Sequence, residues 1–425
     1  MTTDTKQQNN IGPFLTMVFL FFIVGFLTTA NTQFQGPLKE AFLSEAGSFQ
    51  NTMATMITFS WFLAYPIFGG VGSSFVRSSG YKGTLVRGLW LMIAGIILMD
   101  ASAWVTQLWP SAMLQLTDAA TVHIGFFVFL LGSFVIGGSV TVLQVVINPY
   151  LVACHVNGTQ PVQRLAIGGT LNSFGTTLAP YFVSGIVFGG LAMSDVHVDQ
   201  LIVPFIALAV VLGVVMAVVL RLRLPNLENT VAEKDEKLER GIWSFRHLAL
   251  GVLAISFYVG CEVCIGGNIN LYVLGDFAGD AGTATLMATI YWAGLMVGRL
   301  MGSCFSKITP RTQLTFTTSV ASVLVVVAML TNEPWVLVAV GLFHSIMWGC
   351  IYTLAVSRLG KYTVMASGVF MIGVIGGAIL PLLQGVLADV LGGWRWTWGL
   401  VLVGELMMLS YALVGSRIRT KDIID

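Results

Sequence analysis

Charged residues are scarce in this sequence of 425 residues. Asp, Glu, Lys and Arg together make up 10% of it and hydrophobic residues 56%, whereas ordinary soluble domains carry about 25% charged residues. So few charges cannot cover a surface that faces water on all sides. The composition therefore excludes an ordinary soluble protein, and the mean hydropathy of +0.84 indicates a chain that lies in a membrane.

Four further features are missing. The sequence has no disulfide framework, because its cysteines lie in or beside apolar segments and fit small core residues better; they are Cys154, Cys261, Cys264, Cys304 and Cys350. The Cys261-x-x-Cys264 pair has no second pair of ligands, so no metal site and no cofactor is expected. No nucleophile–base pair appears at catalytic spacing, which argues against an enzyme. The polar residues 1–10 contain no cleavable signal, so the first apolar run is expected to remain as a helix.

What the sequence does contain is a series of apolar runs, each long enough to cross a bilayer, which requires about 20 residues. They lie near 12–33, 51–72, 84–107, 121–153, 164–190 and 198–221, and then near 248–275, 282–305, 311–331, 334–356, 361–388 and 394–416. We therefore predict an all-α polytopic membrane protein with twelve transmembrane helices in two six-helix bundles. The predicted domains are an N-terminal bundle (1–220), a charged cytoplasmic linker (221–247) and a C-terminal bundle (248–425).

The positive charges are distributed unevenly between the two sides of this array. Of the 21 Lys and Arg residues, only Lys39 and Arg395 fall on one side, and all the others fall in the breaks and tails of the other side. Because Lys and Arg accumulate in cytoplasmic loops, both termini are predicted to lie in the cytoplasm, and the chain in the inner membrane.

The two halves repeat each other weakly. The segment Gly72–Arg77 after the second span is similar to Gly302–Lys307 after the eighth, and the spacing from Gly175 to Pro180 recurs from Gly376 to Pro381. Corresponding turns and prolines at corresponding spans are typical of a duplicated transporter whose two bundles rock about a midplane site.

Polar side chains inside the spans are the best indication of a site, because a central charge costs about 2.5 to 3.5 kcal/mol. Amides and aromatic rings predominate, which suits the hydroxyls and the C–H face of a sugar. The predicted substrate-binding residues are Gln33, Gln144, Asn148, Asn172, Asn268, Asn270, Trp292, Trp348 and Tyr352. The alternative for each amide is a hydrogen bond between helices, worth about 0.6 kcal/mol on average, and for each aromatic ring an anchor at the membrane interface.

Three acids lie within spans: Asp100, Glu262 and Glu405. Asp100 and Glu405 have no polar neighbours in the sequence, whereas Glu262 is surrounded by small residues and followed by two amides, a pattern that resembles a broken helix lining a cavity. A carboxylate there can alternate between protonated and ionised forms as its solvation changes. Glu262 is therefore predicted to be the coupling residue; the alternative is a structural Glu that is paired with an Arg or merely hydrogen-bonded. His344 is a weaker candidate, since a lone His is more often a packing residue.

Several stretches resemble a known family in residue type and spacing. They are Leu143–Tyr150, Arg164-Leu165, Leu171–Pro180, Tyr258–Val263, Gly298-Arg299 and Gly368–Pro381. Together they are similar to the major facilitator superfamily and, within it, to the family of fucose, glucose and galactose symporters, over nearly the whole chain. The resemblance implies a carrier with the twelve-helix fold that alternates between outward-open and inward-open states.

The family also implies roles for individual residues. Its fucose permease has acids in helices one and four, at the positions of Gln33 and Gln144 here. Gln144 together with Glu262 resembles the glucose and galactose branch, although that branch's acid in helix one is missing. Asn172 matches the family's sugar-binding Asn in helix five, and Gly169 stands where the family has Gln. The resemblance thus assigns any proton coupling to Glu262 and implies a sugar that is bulkier or differently oriented.

The resulting expectation is a secondary active transporter for a monosaccharide, coupled to protons. The alternatives are an amino sugar, an oligosaccharide or a non-sugar solute as cargo, with coupling to sodium or none, and a membrane sensor that binds its ligand without moving it. The expected partners are the sugar, the proton (or sodium) and the lipid bilayer. A monomer that binds no nucleic acid is expected.

Overall fold

The chain is described here by a computed structural model that covers residues 10–159, 161–190, 195–222, 224, 240–277, 279–302, 308–359 and 362–423. These ranges are almost entirely helical, as predicted. The helices are α1 (Ile11–Gln33), α2 (Gln35–Leu43), α3 (Gln50–Leu108), α4 (Ile124–Ala153), α5 (Pro161–Tyr181), α6 (Ile202–Arg221), α7 (Arg246–Asp276), α8 (Ala281–Gly302), α9 (Pro310–Thr331), α10 (Pro334–His344), α11 (Met347–Ala355), α12 (Thr363–Phe370), α13 (Gly376–Leu391) and α14 (Gly399–Ser410).

Several predicted spans are merged or broken. The 59 residues of α3 contain the second and third spans, and the chain turns between them at Gly80, whose φ of 66° is a conformation that glycine adopts without a Cβ clash. The tenth span is the pair α10 and α11, bent by 43° between them. The eleventh span is α12 and α13, joined by a 3₁₀ turn over Met371–Ile375. A π-helix over Tyr411–Gly415 prolongs α14.

The fifth span is the least apolar. Ten helices of the described chain are long and apolar enough to cross a bilayer, and the bent pair makes an eleventh span. The twelfth is α5, which continues as a π-helix over Phe182–Val187. It contains Arg164, Asn172 and Ser173, so it crosses the membrane with its polar side chains turned to neighbouring helices; α1, α4 and α8 all pack against it.

The two ends of the molecule can be told apart by what lies there. Strands β1 (Met113–Thr117) and β2 (Ala120–His123) form an antiparallel hairpin between α3 and α4, which the sequence analysis did not predict. We call this end the hairpin side. The opposite end, which holds residues 10, 224, 240 and 423, is the terminal side.

The weak repeat between the halves has a structural reason. A Cβ on Gly175 of α5 would lie 2.5 Å from the backbone oxygen of Phe22 in α1, and one on Gly376 of α13 would overlap the backbone oxygen of Ser256 in α7. In each half, the glycine thus allows close packing of the fifth span against the first, which are α5 against α1 and α13 against α7. Of the other repeated motif, residues 303–307 lie outside the described residues, as do linker residues 225–239. The domain boundaries at 220 and 248 stay a prediction.

Candidate substrate and coupling site

On the hairpin side, α1 and α7 are joined by side chains predicted to bind substrate. The amide nitrogen of Gln33 donates to the backbone oxygen of Gly266 (3.0 Å), and its amide oxygen accepts from the side chain of Asn270. Both the nitrogen and the oxygen of the Gln33 side-chain amide are therefore hydrogen-bonded. Gln33 and Asn270 also line a small pocket, together with Pro180 and Thr285.

A second contact between the halves lies where α3 begins. Phe49, the residue before α3, supplies no capping side chain. The carboxylate of Asp389, near the end of α13, instead accepts from the backbone N–H groups of Asn51 (3.1 Å) and Thr52 (2.7 Å) and from the Thr52 hydroxyl (2.6 Å). A carboxylate at a helix N-terminus satisfies unpaired N–H groups and interacts favourably with the helix dipole. The first turn of α3 is thus capped by a residue from the other half of the chain.

Lys39 of α2 lies beside this cap. Its amino group donates to the side chain of Asn51 (2.7 Å). Burial lowers the pKa of Lys39, and the nearby carboxylates of Glu40, Asp389 and Asp276 oppose this shift. The hairpin side is therefore closed by polar contacts that connect both halves of the chain.

Toward the terminal side lies a partly exposed group of polar and aromatic residues from both halves. Phe62 of α3 still meets Gly377 of α13, where a Cβ would lie 3.0 Å from its ring. One turn further along α3, the hydroxyl of Tyr65 accepts from Gln144 (3.2 Å). Gln144 is only half-buried although it lies mid-helix in α4.

The other half contributes aromatic rings at the same level. Trp348 packs edge-on against Tyr258 (6.2 Å between centroids) and Phe370 (5.9 Å), and Tyr352 packs against Phe370 (5.3 Å). Trp348 and Tyr352 are half-buried, as is Asn148 of α4. Gln144, Asn148, Trp348 and Tyr352 are therefore predicted residues that stay partly exposed in this conformation.

Three of the predicted substrate-binding residues contact other residues of their own half. Asn172 donates to the backbone oxygen of Phe21 (2.9 Å) where α5 crosses α1, and Asn268 donates to Gln384 (2.9 Å), which in turn donates to Thr397. The ring of Trp292 is buried against Gly266. Asn268 is fully buried, so its contacts correspond to the hydrogen bond between helices that the sequence analysis left open as an alternative. Asn172 is half-buried, and its amide oxygen makes no hydrogen bond to the described residues.

Glu262 lies at the centre of a polar network that reaches both halves. The hydroxyl of Tyr258 donates to it (3.1 Å), and the guanidinium of Arg299 in α8 lies 3.8 Å away. Arg299 also donates to the Ser173 hydroxyl in α5 (2.6 Å) and, more weakly, to the backbone oxygen of Ser345 (3.4 Å). The pairing of Glu262 with an Arg thus exists, but it is long and partly exposed, and the closest contact of Arg299 is to the other half.

A second acid–base cluster was missed by the sequence analysis. Nε2 of His344 lies 2.6 Å from the carboxylate of Glu405 in α14, and its Nδ1 lies 2.8 Å from the hydroxyl of Tyr291. These residues are on three different helices, so no sequence neighbourhood brings them together. The available signal was the isolated acid in an apolar span, because a charge at that depth requires a partner.

The chain is similar over most of its length to curated transporters. It is 32% identical over 404 residues to the "Glucose/galactose transporter" of Brucella abortus biovar 1 (strain 9-941), covering 92% of this chain and 91% of that protein. It is 31% identical over 399 residues to the "Putative glucose/galactose transporter" of Helicobacter pylori (strain J99 / ATCC 700824), covering 91% of each. The chain belongs to the glucose/galactose transporter family of the major facilitator superfamily.

A more distant relative is also similar over most of its length, and solved structures share the fold. The "L-fucose-proton symporter" of Escherichia coli (strain K12) is 22% identical over 414 residues, covering 91% of this chain and 89% of that protein. Among solved structures, FucP in the outward conformation superposes with a TM-score of 0.65 at 20% identity, covering 94% of this chain and 97% of that one. The inward-open xylose transporter XylE from E. coli gives 0.69 at 13% identity, covering 97% and 98%. No family model matches the chain.

Membership of this family confirms the predicted fold class, a polytopic helical protein with the twelve-helix major facilitator fold. The family members named above are transporters. Which residues of this chain bind solute and which carry a proton stays a prediction.

Proposed function

We propose that the chain is a secondary active transporter that carries a hexose or related monosaccharide across the inner membrane, coupled to protons, by alternating access. Its relatives are named glucose/galactose transporters, with the L-fucose-proton symporter more distant. The alternatives are a different cargo, such as an amino sugar or an oligosaccharide, and coupling to sodium or to no ion.

The observation that carries the coupling proposal is the position of Glu262. Its carboxylate lies between Tyr258, which packs against Trp348, and Arg299, which reaches Ser173 of the other half. A carboxylate with one loose cationic partner and partial solvent access can be ionised or protonated with small rearrangements. Protonation of Glu262 would remove the negative charge in α7 that pairs with Arg299. The hydrogen bond from Arg299 to Ser173 would then be the main contact of the guanidinium. The charge state of Glu262 is thus linked to a contact between the two halves.

A neutral sugar suits the accessible side chains. Gln144 presents an amide whose nitrogen is bonded to Tyr65 and whose oxygen can accept from a hydroxyl. Trp348 and Tyr352 supply ring faces for the C–H surface of a pyranose. We propose Gln144, Asn148, Trp348 and Tyr352 as direct sugar contacts and Asn172 as a further one through its amide oxygen. Gln33 and Asn270 would contact substrate only when the hairpin side opens.

The orientation follows from the charges. Most of the Lys and Arg residues that the structure describes lie toward the terminal side, which is therefore proposed to be cytoplasmic, with both ends of the chain there. The hairpin side would then be periplasmic, and the conformation described here, closed on that side, would be inward-facing. Substrate shifts the population between the states only through a difference in its affinity for them.

The proposed function is tested by binding and uptake with a panel of labelled sugars: glucose, galactose, fucose and N-acetylglucosamine. The expected result is saturable uptake of one hexose into proteoliposomes and competition by its unlabelled form. Gln144→Ala should abolish binding without affecting membrane insertion, whereas Gln115→Ala, in the exposed strand β1 away from the proposed contacts, should bind normally. Uptake of none of these sugars, with uptake of a chemically different solute, would contradict the sugar assignment.

A further inference from the structure

His344 and Glu405 form a buried pair that the proposed coupling at Glu262 does not use. Nε2 of His344 and Oε1 of Glu405 are 2.6 Å apart, and both side chains are 0% exposed. The second carboxylate oxygen of Glu405 has no hydrogen-bond partner among the described residues. Polar groups at this depth are costly and usually functional.

The number of protons on the pair determines its net charge. With one proton on each imidazole nitrogen and an ionised carboxylate, or with neutral imidazole and a protonated carboxyl group, the pair is neutral. Loss of one proton leaves a single negative charge in a dry environment, which is strongly disfavoured unless a nearby positive charge or a change in hydration compensates. The pair therefore gains or loses its proton only together with a change in its surroundings.

Tyr291 allows both states without loss of a hydrogen bond. Its hydroxyl lies 2.8 Å from Nδ1 of His344, and a phenol can donate or accept. In the neutral pair Nδ1 carries hydrogen and donates to the Tyr291 oxygen. In the anionic pair the remaining proton lies between Nε2 and the carboxylate, so Nδ1 accepts from the Tyr291 hydroxyl.

The pair lies where it can affect the substrate site. His344 is the last residue of α10, at the 43° break before α11, and α11 carries Trp348 and Tyr352. The residue after His344, Ser345, accepts through its backbone oxygen from Arg299. The titratable and charged groups around the pair are Tyr258, Cys261 and Glu262 of α7 and Tyr291 and Arg299 of α8.

We propose that His344 and Glu405 form a second proton-binding site, whose occupancy sets the α10–α11 break and with it the position of the aromatic rings in the substrate site. The pair as a whole exchanges one proton: the neutral pair has a proton on Nδ1 of His344 and one between Nε2 and Oε1 of Glu405, and the anionic pair keeps only the latter. No other bond is made or broken, and the released proton passes to water. This proposal rests on the proposed proton-coupled sugar transport and extends it from one acid to two.

The test uses a background in which Glu262 cannot titrate. Sugar affinity of the purified full-length protein is measured by tryptophan fluorescence from mildly acidic to mildly alkaline pH. In Glu262→Gln, a residual change in affinity of about threefold or more with pH is expected, and it should vanish in Glu262→Gln/Glu405→Gln. His247→Gln in the same background is the matched control, because His247 is equally buried but bonds to the backbone of Ser357; it should keep the residual change.

A second measurement does not depend on sugar. The infrared difference spectrum between acidic and alkaline protein should contain a carboxylic-acid band that disappears in Glu405→Gln. If that variant is poorly recovered, His344→Gln, whose amide can still donate to Glu405, should alter the same band. An unchanged band in both variants, or a residual pH dependence that survives Glu405→Gln, would overturn the second site. If the wild type binds no sugar of the panel, the proposed sugar transport is contradicted. The infrared titration still tests whether His344 and Glu405 form a proton-binding site, because it does not require sugar.

Discussion

The two halves of the chain differ in the kind of polar group that they place near the middle of the fold. In the N-terminal half these groups include neutral amides: Asn31 bonds to Ile57 and Ser133, Gln144 to Tyr65, and Asn172 to Phe21. In the C-terminal half they include the ionisable Glu262 with Arg299 and Glu405 with His344. The folds of the halves correspond, but their chemistry does not.

This difference indicates a division of roles within one substrate site. Amides recognise hydroxyls without changing charge, so under the proposed function the contribution of the N-terminal half to sugar affinity should not depend on pH. Carboxylates and imidazole change charge, so the pH dependence of transport should originate in the C-terminal half. Arg299 is the point at which the two kinds of group meet, because it contacts Glu262 and the Ser173 hydroxyl.

Replacement of Arg299, which contacts both halves, should have the largest effect on transport. Arg299→Gln removes the cation that balances Glu262 and weakens the contact with Ser173, so transport should fall about tenfold or more, equivalent to about 1.4 kcal/mol. Initial uptake rates in proteoliposomes measure it. Arg299→Lys, which keeps the charge but loses the planar fork, should recover part of the activity. Equal loss in both variants would show that geometry, and not charge, is what matters.

An acid introduced into the N-terminal half should remove the difference between the halves, because that half would then also contain an ionisable group. Gln144→Glu keeps the side-chain length near Tyr65 but adds a titratable group, so sugar affinity should become weaker and newly dependent on pH. Binding titrations at several pH values measure it, with Gln144→Asn as the uncharged control. An unchanged pH profile would mean that position 144 is not close to the bound sugar.

The cap of α3 by Asp389 should control the hairpin side. Asp389→Asn weakens a capping interaction of about 0.5 to 2 kcal/mol, so the population open on the hairpin side should rise by a few-fold to about tenfold. Thiol labelling of a cysteine introduced at Ser184, which lines the pocket that contains Gln33 and Asn270, measures this. Asp118→Asn, in the hairpin turn, is the control and should leave labelling unchanged. Unchanged labelling in Asp389→Asn would contradict a role for the cap in closure.

The smallest effects should come from amides within one half. Asn268→Ala removes the bond to Gln384, and bonds of this kind contribute about 0.6 kcal/mol on average. It should lower the thermal stability slightly and leave sugar affinity unchanged, whereas Asn172→Ala should lower affinity as well. Thermal melting and binding measured on the same preparations separate the two. If Asn268→Ala loses sugar binding but keeps normal stability, Asn268 is a substrate-binding residue after all.

The sequence predicted the architecture better than the site. Apolar runs and Lys/Arg positions depend on local composition, so the spans were found even where α5 is polar and where α10 and α11 are broken. The hairpin of β1 and β2 escaped prediction because a short stretch between two long helices leaves little pattern.

The contacts of the site depend on helices distant in sequence. Nothing around Gln33 or Asn270 indicates that they bond to each other, and nothing around Asp389 indicates that it caps α3. Asn268 and Asn270 are two residues apart on α7, yet one bonds within its half and the other across to α1. Which face of a helix meets which neighbour is decided by packing, so residue types alone could not separate ligands from structural amides.

The central claim is that Glu262 couples proton movement to sugar movement, and one measurement tests it most directly. Uptake of the labelled hexose into proteoliposomes is compared with and without an inward proton gradient, for the wild type and for Glu262→Gln, alongside counterflow exchange. The account predicts that the gradient drives accumulation in the wild type, and that Glu262→Gln loses accumulation but keeps exchange. Accumulation that is equally strong in Glu262→Gln, or wild-type uptake that ignores the gradient, would contradict it.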